Sequence, residues 1–148
     1  MTKKSKQLFM GVDIGISSIK AAVFDPDGNQ LGFHKIEISL ICNLTGMAEL
    51  GPEVIFRSFL DVVKKCIRES KICPDELEAI GLSSQMHSLL AIDGLGNCLT
   101  NIITWADTRA KNQADFIKEK FDYKKMSFNT GCRIYAENNM NMKRNYLI

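Results

Sequence analysis

Gly11-Val12-Asp13-Ile14-Gly15-Ile16-Ser17-Ser18-Ile19-Lys20-Ala21-Ala22-Val23-Phe24-Asp25 is the stretch that decides the fold of this chain. The run from Leu8 to Val12 is apolar throughout, the pattern of a strand buried on both faces. Ile19, Ala21 and Val23 then alternate with their neighbours, as in a second strand. Between them lies a tight turn holding Asp13, Gly15, Ser17, Ser18 and Lys20. Such a turn can grip a polyphosphate. Backbone N–H groups point at the oxygens, hydroxyls add donors, and the aspartate holds a metal ion. An ordinary hairpin with a glycine in its turn has the same spacing, because short glycine motifs are not specific.

After the second strand, Asp25-Pro26-Asp27-Gly28-Asn29 is a strong turn signal. Ile36, Ile38 and Leu40 alternate with Lys35, Glu37 and Ser39, giving a third strand with one wet face. Three strands joined by short turns make an antiparallel meander. Residues 41–51 read as a loop. Pro52 suits the first turn of a helix. Ile55, Phe59, Val63 and Ile67, with Phe56 and Leu60 beside them, form the apolar stripe that covers the sheet. Pro74 breaks the chain. Short strands are expected at Ala79–Leu82, Leu89–Ile92 and Ile102–Trp105, with a turn at Gly94-Leu95-Gly96-Asn97. Ala110, Ala114, Ile117 and Phe121 mark a second helix, which Asp107 or Thr108 could cap. Beyond Asp122 the pattern fades, apart from a turn at Thr130-Gly131. This order of elements implies an α/β domain with a mixed sheet, whose ligands bind at strand ends.

Size and composition narrow the function. The 148 residues fit one domain, and a net charge of +2 is too small to suggest a nucleic-acid partner. Lys3, Lys4 and Lys6 belong to a tail expected to be disordered over residues 1–7. No apolar run approaches the roughly 18 residues needed to span a bilayer, and no signal-peptide pattern opens the chain. A cytoplasmic protein without a membrane partner is expected. The five cysteines show no CxxC pair, so reduced and mostly buried thiols are expected.

Two further polar clusters stand at the ends of apolar runs. Gln85-Met86-His87 could contact a polar ligand over a cleft; equally, His87 could be a surface histidine and Met86 a core filler. No partner at metal-ligand spacing accompanies His87, which makes zinc improbable. In Trp105-Ala106-Asp107-Thr108-Arg109, Trp105 could offer its flat face to a sugar. Asp107 and Arg109 could bond its hydroxyls or a carboxylate. Alternatively, Asp107 is a helix cap and Arg109 a solvated first-turn residue.

The clusters occur in the order seen in one family. Asp13-Ile14-Gly15-Ile16-Ser17-Ser18-Ile19-Lys20 resembles the first phosphate-binding loop of the FGGY carbohydrate kinases. Ser84-Gln85-Met86-His87-Ser88 resembles their sugar-site strand end. Ile103-Thr104-Trp105-Ala106-Asp107-Thr108-Arg109-Ala110 is similar to the gluconokinase segment, with xylulokinases next. Thr130-Gly131-Cys132 matches a later turn. Ile16, where many relatives have a hydroxyl residue, and the polar stretch Arg133–Asn139 depart from the pattern.

The resemblance implies a ribonuclease-H-like, actin-type ATPase fold and transfer of the γ-phosphoryl of ATP to a sugar or sugar-acid hydroxyl, with Mg2+. It places Asp13 at the metal and Gly15, Ser17, Ser18 and Lys20 at the phosphates. It places Gln85, Met86, His87, Trp105, Asp107 and Arg109 around the substrate, with Arg109 or His87 suited to a gluconate carboxylate. Family enzymes are several times longer. The base aspartate and the ATP-binding C-terminal lobe are therefore expected beyond residue 148, and residues 1–148 are expected to be an incomplete N-terminal lobe, inactive alone. A face left apolar by the missing lobe is expected to drive homodimer formation. A non-catalytic sugar-binding or scaffold module is the alternative, because fold does not fix function.

Overall fold

The computed structural model describes residues 7–131. They form β1 (Leu8–Ile14), β2 (Ser18–Phe24), β3 (Gln30–Glu37), β4 (Glu49–Leu50) and α1 (Pro52–Ser70). A 3-10 turn (Pro74–Glu76) follows, then β5 (Leu77–Ser84), β6 (Ile102–Ile103), α2 (Lys111–Lys120) and α3 (Tyr123–Thr130). The expected tail residues 1–6, Cys132 and Arg133–Asn139 lie outside the described residues. Two compact units emerge, one from the residues up to Ser39 with Glu53–Ser84, the other from Leu40–Pro52 and the residues after Ser84.

In the first unit the sheet order is β3-β2-β1-β5. The meander is as expected: β1 pairs antiparallel with β2, and β2 with β3. β5 joins β1 in parallel, which requires a crossover, and α1 lies in that connection. The β2–β3 turn is short because Asp25 binds it from within. Its carboxylate accepts the N–H groups of Asp27 and Asn29 and the side-chain amide of Asn29, and Gly28 takes a left-handed φ of 85°. The Asn29 amide and N–H hold the Asp25 carboxyl below its usual range.

The core joins Leu8, Met10 and Val12 of β1 and Ile19, Ala21 and Val23 of β2 to Val62 and Cys66 of α1. β1 is therefore buried on one face, not both: α1 packs against one side, and on the other Phe9 is 41% exposed. The helical stripe is also rotated from the expected one. Val62 and Cys66 are its fully buried residues, Ile55, Phe59, Val63 and Ile67 flank them, and Phe56 is exposed. β3 begins at Gln30, and Ile38 and Leu40 lie beyond its end.

The last turn of α1 meets β3 at Gly32. A Cβ there would sit 2.0 Å from Ser70 Oγ and 3.0 Å from Ser70 Cα. Gly32→Ala is expected to destabilise the first unit by about 1–3 kcal/mol, because the helix end must move off the strand. Urea denaturation checks this; an unchanged midpoint would show that α1 yields freely.

In the second unit the expected strand Leu89–Ile92 is reduced to isolated pairings of Leu89 with Ile103 and of Ile92 with Cys98. The expected loop 41–51 contains β4, which pairs with β6, and Glu49 also pairs with Ile41. The turn at Gly94–Asn97 repeats the device of the first unit, with Asp93 accepting the N–H groups of Leu95 and Asn97 and the Asn97 amide. α2 has Ala110 as its N-cap with no side-chain cap, so neither Asp107 nor Thr108 caps it. α3 forms where the sequence pattern fades; the Asp122 carboxylate caps it and left-handed Gly131 ends it. Of the described cysteines only Cys66 is buried, against the expectation for most of them. Burial pushes its thiol up, and its Sγ–H donates to Ala21 O. No helix among the described residues is long and apolar enough to cross a membrane.

Candidate functional site

In the first unit, strand register makes the elbow. Asp13 faces Lys20 across the β1–β2 ladder, with Lys20 Nζ 3.5 Å from Asp13 Oδ2, both side chains about half exposed. With Gly11, Ala22, Phe33 and Ser83 they line a cavity of 440 Å³. Glycines at 11 and 81 let a ligand approach the backbone there. The turn is closed by Gly15 N–H donating to Ser18 O, while Ile38 N–H donates to Ser17 O. A Cβ at Gly15 would lie 3.0 Å from Ser18 O, which accounts for the glycine. Ser17 is exposed at the turn, whereas Ser18 is buried at 5% exposure. A half-exposed carboxylate beside an ammonium fits a magnesium-bound phosphate, because magnesium keeps several waters and needs few protein oxygens. Among the described residues no three His, Cys, Asp or Glu side chains form a metal cage.

In the second unit, hydrogen bonds converge three segments. Leu89 and Ile103 exchange both backbone bonds, at 2.9 and 2.8 Å. Ile103 also pairs with Glu49. Antiparallel register then places the residues before Leu89, those after Ile103 and those before Glu49 on one side of this rung. Those segments carry Gln85–Ser88, Thr104–Arg109 and Gly46–Ala48. Thr104 is fully buried, and both its N–H and its hydroxyl donate to Ala48 O.

The first segment is under strain. His87 has a φ of 59°, uncommon for a residue other than glycine. Met86 is 73% exposed, which excludes a core-filling role. Gln85 Oε1 and Ser88 Oγ are buried with no hydrogen-bond partner among the described residues. Polar atoms in that state cost free energy unless a ligand or water completes them. Trp105 is 43% exposed.

The second segment holds a network of ion pairs and hydrogen bonds that reaches Glu49. Asp107, its side chain 3% exposed, accepts Arg109 Nε at 3.2 and 3.0 Å and Arg109 N–H at 3.1 Å. Asp107 Oδ2 also accepts Ala48 N–H at 3.0 Å. A terminal nitrogen of Arg109 bonds both Asp107 Oδ2, at 2.7 Å, and Glu49 Oε1. Asn101 donates to the other oxygen of Glu49 at 2.9 Å. Burial pushes the Asp107 carboxyl upward, but the Arg109 and Ala48 donors outweigh it and leave it below its usual range. The hydrogen bonds that Arg109 donates to Asp107 and Glu49 raise its already high pKa. Glu49 stands 60 positions from Arg109, and no local motif announces the pairing.

Residues 8–142 match the N-terminal domain of the FGGY family of carbohydrate kinases. The gluconokinase of Bacillus subtilis (strain 168) is 35% identical over 127 residues, covering 85% of this chain and 24% of that protein. The gluconate kinase from Lactobacillus acidophilus superposes with a TM-score of 0.83 at 29% identity, covering 90% of this chain and 26% of that one. A ligand-bound xylulose kinase from the same organism superposes with a TM-score of 0.76 at 30% identity, covering 82% and 24%. The chain thus spans about a quarter of the length of the relatives it matches. It belongs to the FGGY family of carbohydrate kinases, matches their N-terminal domain, and has their actin-like α/β fold.

Proposed function

We propose that this chain is the sugar- and phosphate-binding portion of an ATP-dependent gluconokinase. The observation that carries the reading is the strained turn at His87, flanked by the unpartnered Gln85 Oε1 and Ser88 Oγ. A polyol brings hydroxyls that can complete such atoms, and the half-exposed Trp105 follows Ile103 on the same side of the Leu89–Ile103 rung as this turn. Gluconate is preferred because a gluconokinase is 35% identical, against 29% for a curated xylulose kinase. Xylulose is the second reading, favoured by the 30% identity of the xylulose kinase structure.

In this reading Asp13 holds magnesium, which neutralises phosphate charge when bound. Lys20 and the turn at Gly15 and Ser17 receive the phosphates. The 148 residues alone perform no phosphoryl transfer, since positioning ATP and removing the hydroxyl proton need further groups. Calorimetric titration with gluconate, xylulose and glycerol tests the sugar assignment. Gluconate is expected to bind with the highest affinity. Equal indifference to all three would reject the sugar site, and ADP release from the purified chain in a coupled assay would reject its inactivity.

A further inference from the structure

We propose that Glu49, Asp107 and Arg109 are positioning residues, a buried ionic lock that holds Trp105 and the Gly46–Ala48 segment in place, and that Arg109 is not the receptor for a substrate carboxylate. The inference rests on the sugar-kinase reading only for what the lock positions. The lock itself rests on geometry. Both oxygens of Asp107 accept hydrogen bonds from within the chain. Arg109 is bound through Nε to Asp107 and through a terminal nitrogen to both acids. Two carboxylates face one guanidinium, so the cluster as a whole carries a negative charge. An incoming sugar acid would meet repulsion there, not a cation awaiting a partner. The covalent spacing does the positioning: Trp105 lies two residues before Asp107, and Ala48 immediately precedes Glu49. Asp107 accepts from Ala48 N–H while Thr104 donates to Ala48 O, so the lock ties both segments at one residue.

The test uses the full 148-residue chain, whose only tryptophan is Trp105. Arg109→Lys keeps the charge but loses the planar fork. Glu49→Gln keeps the shape but removes one acid. Acrylamide quenching and the emission maximum of Trp105 are measured at a temperature where circular dichroism shows each variant folded. Both variants are expected to show a red shift and higher quenching. Ala114→Gly, which weakens α2 without touching the lock, is expected to leave the tryptophan signal unchanged. Affinities for gluconate and for uncharged glucitol are then expected to fall by the same factor, about 10-fold, because a displaced wall affects both ligands alike.

Tryptophan signals that superimpose on those of the unchanged chain would overturn the proposal. So would a loss of gluconate affinity with glucitol binding intact, which would make Arg109 a ligand. If the unchanged chain binds neither compound, the sugar assignment fails, while the tryptophan measurement still decides the lock.

Discussion

Arg109→Met is expected to destabilise the second unit by about 3–5 kcal/mol, because removing one partner of a buried ion pair strands the other charge. Here two acids are stranded. Asp107 keeps its backbone donors from Ala48 and Arg109 but loses the guanidinium, and the Glu49 carboxylate keeps only Asn101 among the side-chain bonds described above. Lysine at the same position is expected to recover part of the loss, since the charge returns without the bidentate fork. Glu49→Gln combined with Arg109→Met is expected to cost less than Arg109→Met alone, because it removes one of the stranded charges. Urea denaturation followed through Trp105 gives the numbers. A loss below about 1 kcal/mol would place this cluster with ordinary surface ion pairs.

The same cluster gives the second unit a defined acid sensitivity. The Asp107 carboxyl titrates lower in the folded chain than its ordinary value. Its stabilisation is therefore complete above the unfolded-state pKa, near about 4, and is lost as pH falls through the lower folded value. In Arg109→Met that acid-side loss shrinks, because the main donor that lowers the carboxyl is gone.

Ile19→Ala is expected to cost the first unit about 2–5 kcal/mol, the range for truncating a fully buried aliphatic side chain. Ile19 is completely buried in the cluster under α1. It is also the first core residue after the elbow, and it pairs with Ile14 at the end of β1. The cavity it leaves lies where the two strands that present Asp13 and Lys20 are pinned. Leu95, 90% exposed in a turn, serves as the control, and Leu95→Ala is expected to change stability by less than about 0.5 kcal/mol. Similar losses from both substitutions would mean that the core does not hold the elbow.

The parts of this molecule that sequence made legible are those whose cause is local. The elbow was readable because an apolar run and an alternating run flank a glycine turn. Its Asp13–Lys20 pairing follows directly from the register that turn imposes. The turns at Asp25 and Asp93 were readable because each aspartate binds backbone only two and four residues ahead. The exact stripe of α1 was not, since Ile55, Phe56, Phe59 and Leu60 are all apolar and only the sheet decides which are covered. The run Leu89–Ile92 looked like a strand by composition, yet it finds only isolated pairings.

At the candidate site the residue types were legible and the contacts among them were not. Trp105, Asp107 and Arg109 stand together in sequence and were assigned jointly to the substrate. The structure separates them: Trp105 is open, whereas Asp107 is sealed under Arg109, Ala48 and Glu49. Glu49, which pairs with Arg109, lies in a stretch that reads as a loop from its sequence. Its signal exists only across β4 and β6.

The most direct measurement of the central claim is a gluconate titration of the isotopically labelled chain followed by two-dimensional amide NMR. Saturable shifts are expected to concentrate at Gln85–Ser88 and Thr104–Arg109, with the Trp105 indole among the largest. Shifts confined to the apolar groove of Phe116, Ile117, Phe121 and Met126, or no saturable shift with gluconate, xylulose or glycerol, would contradict it.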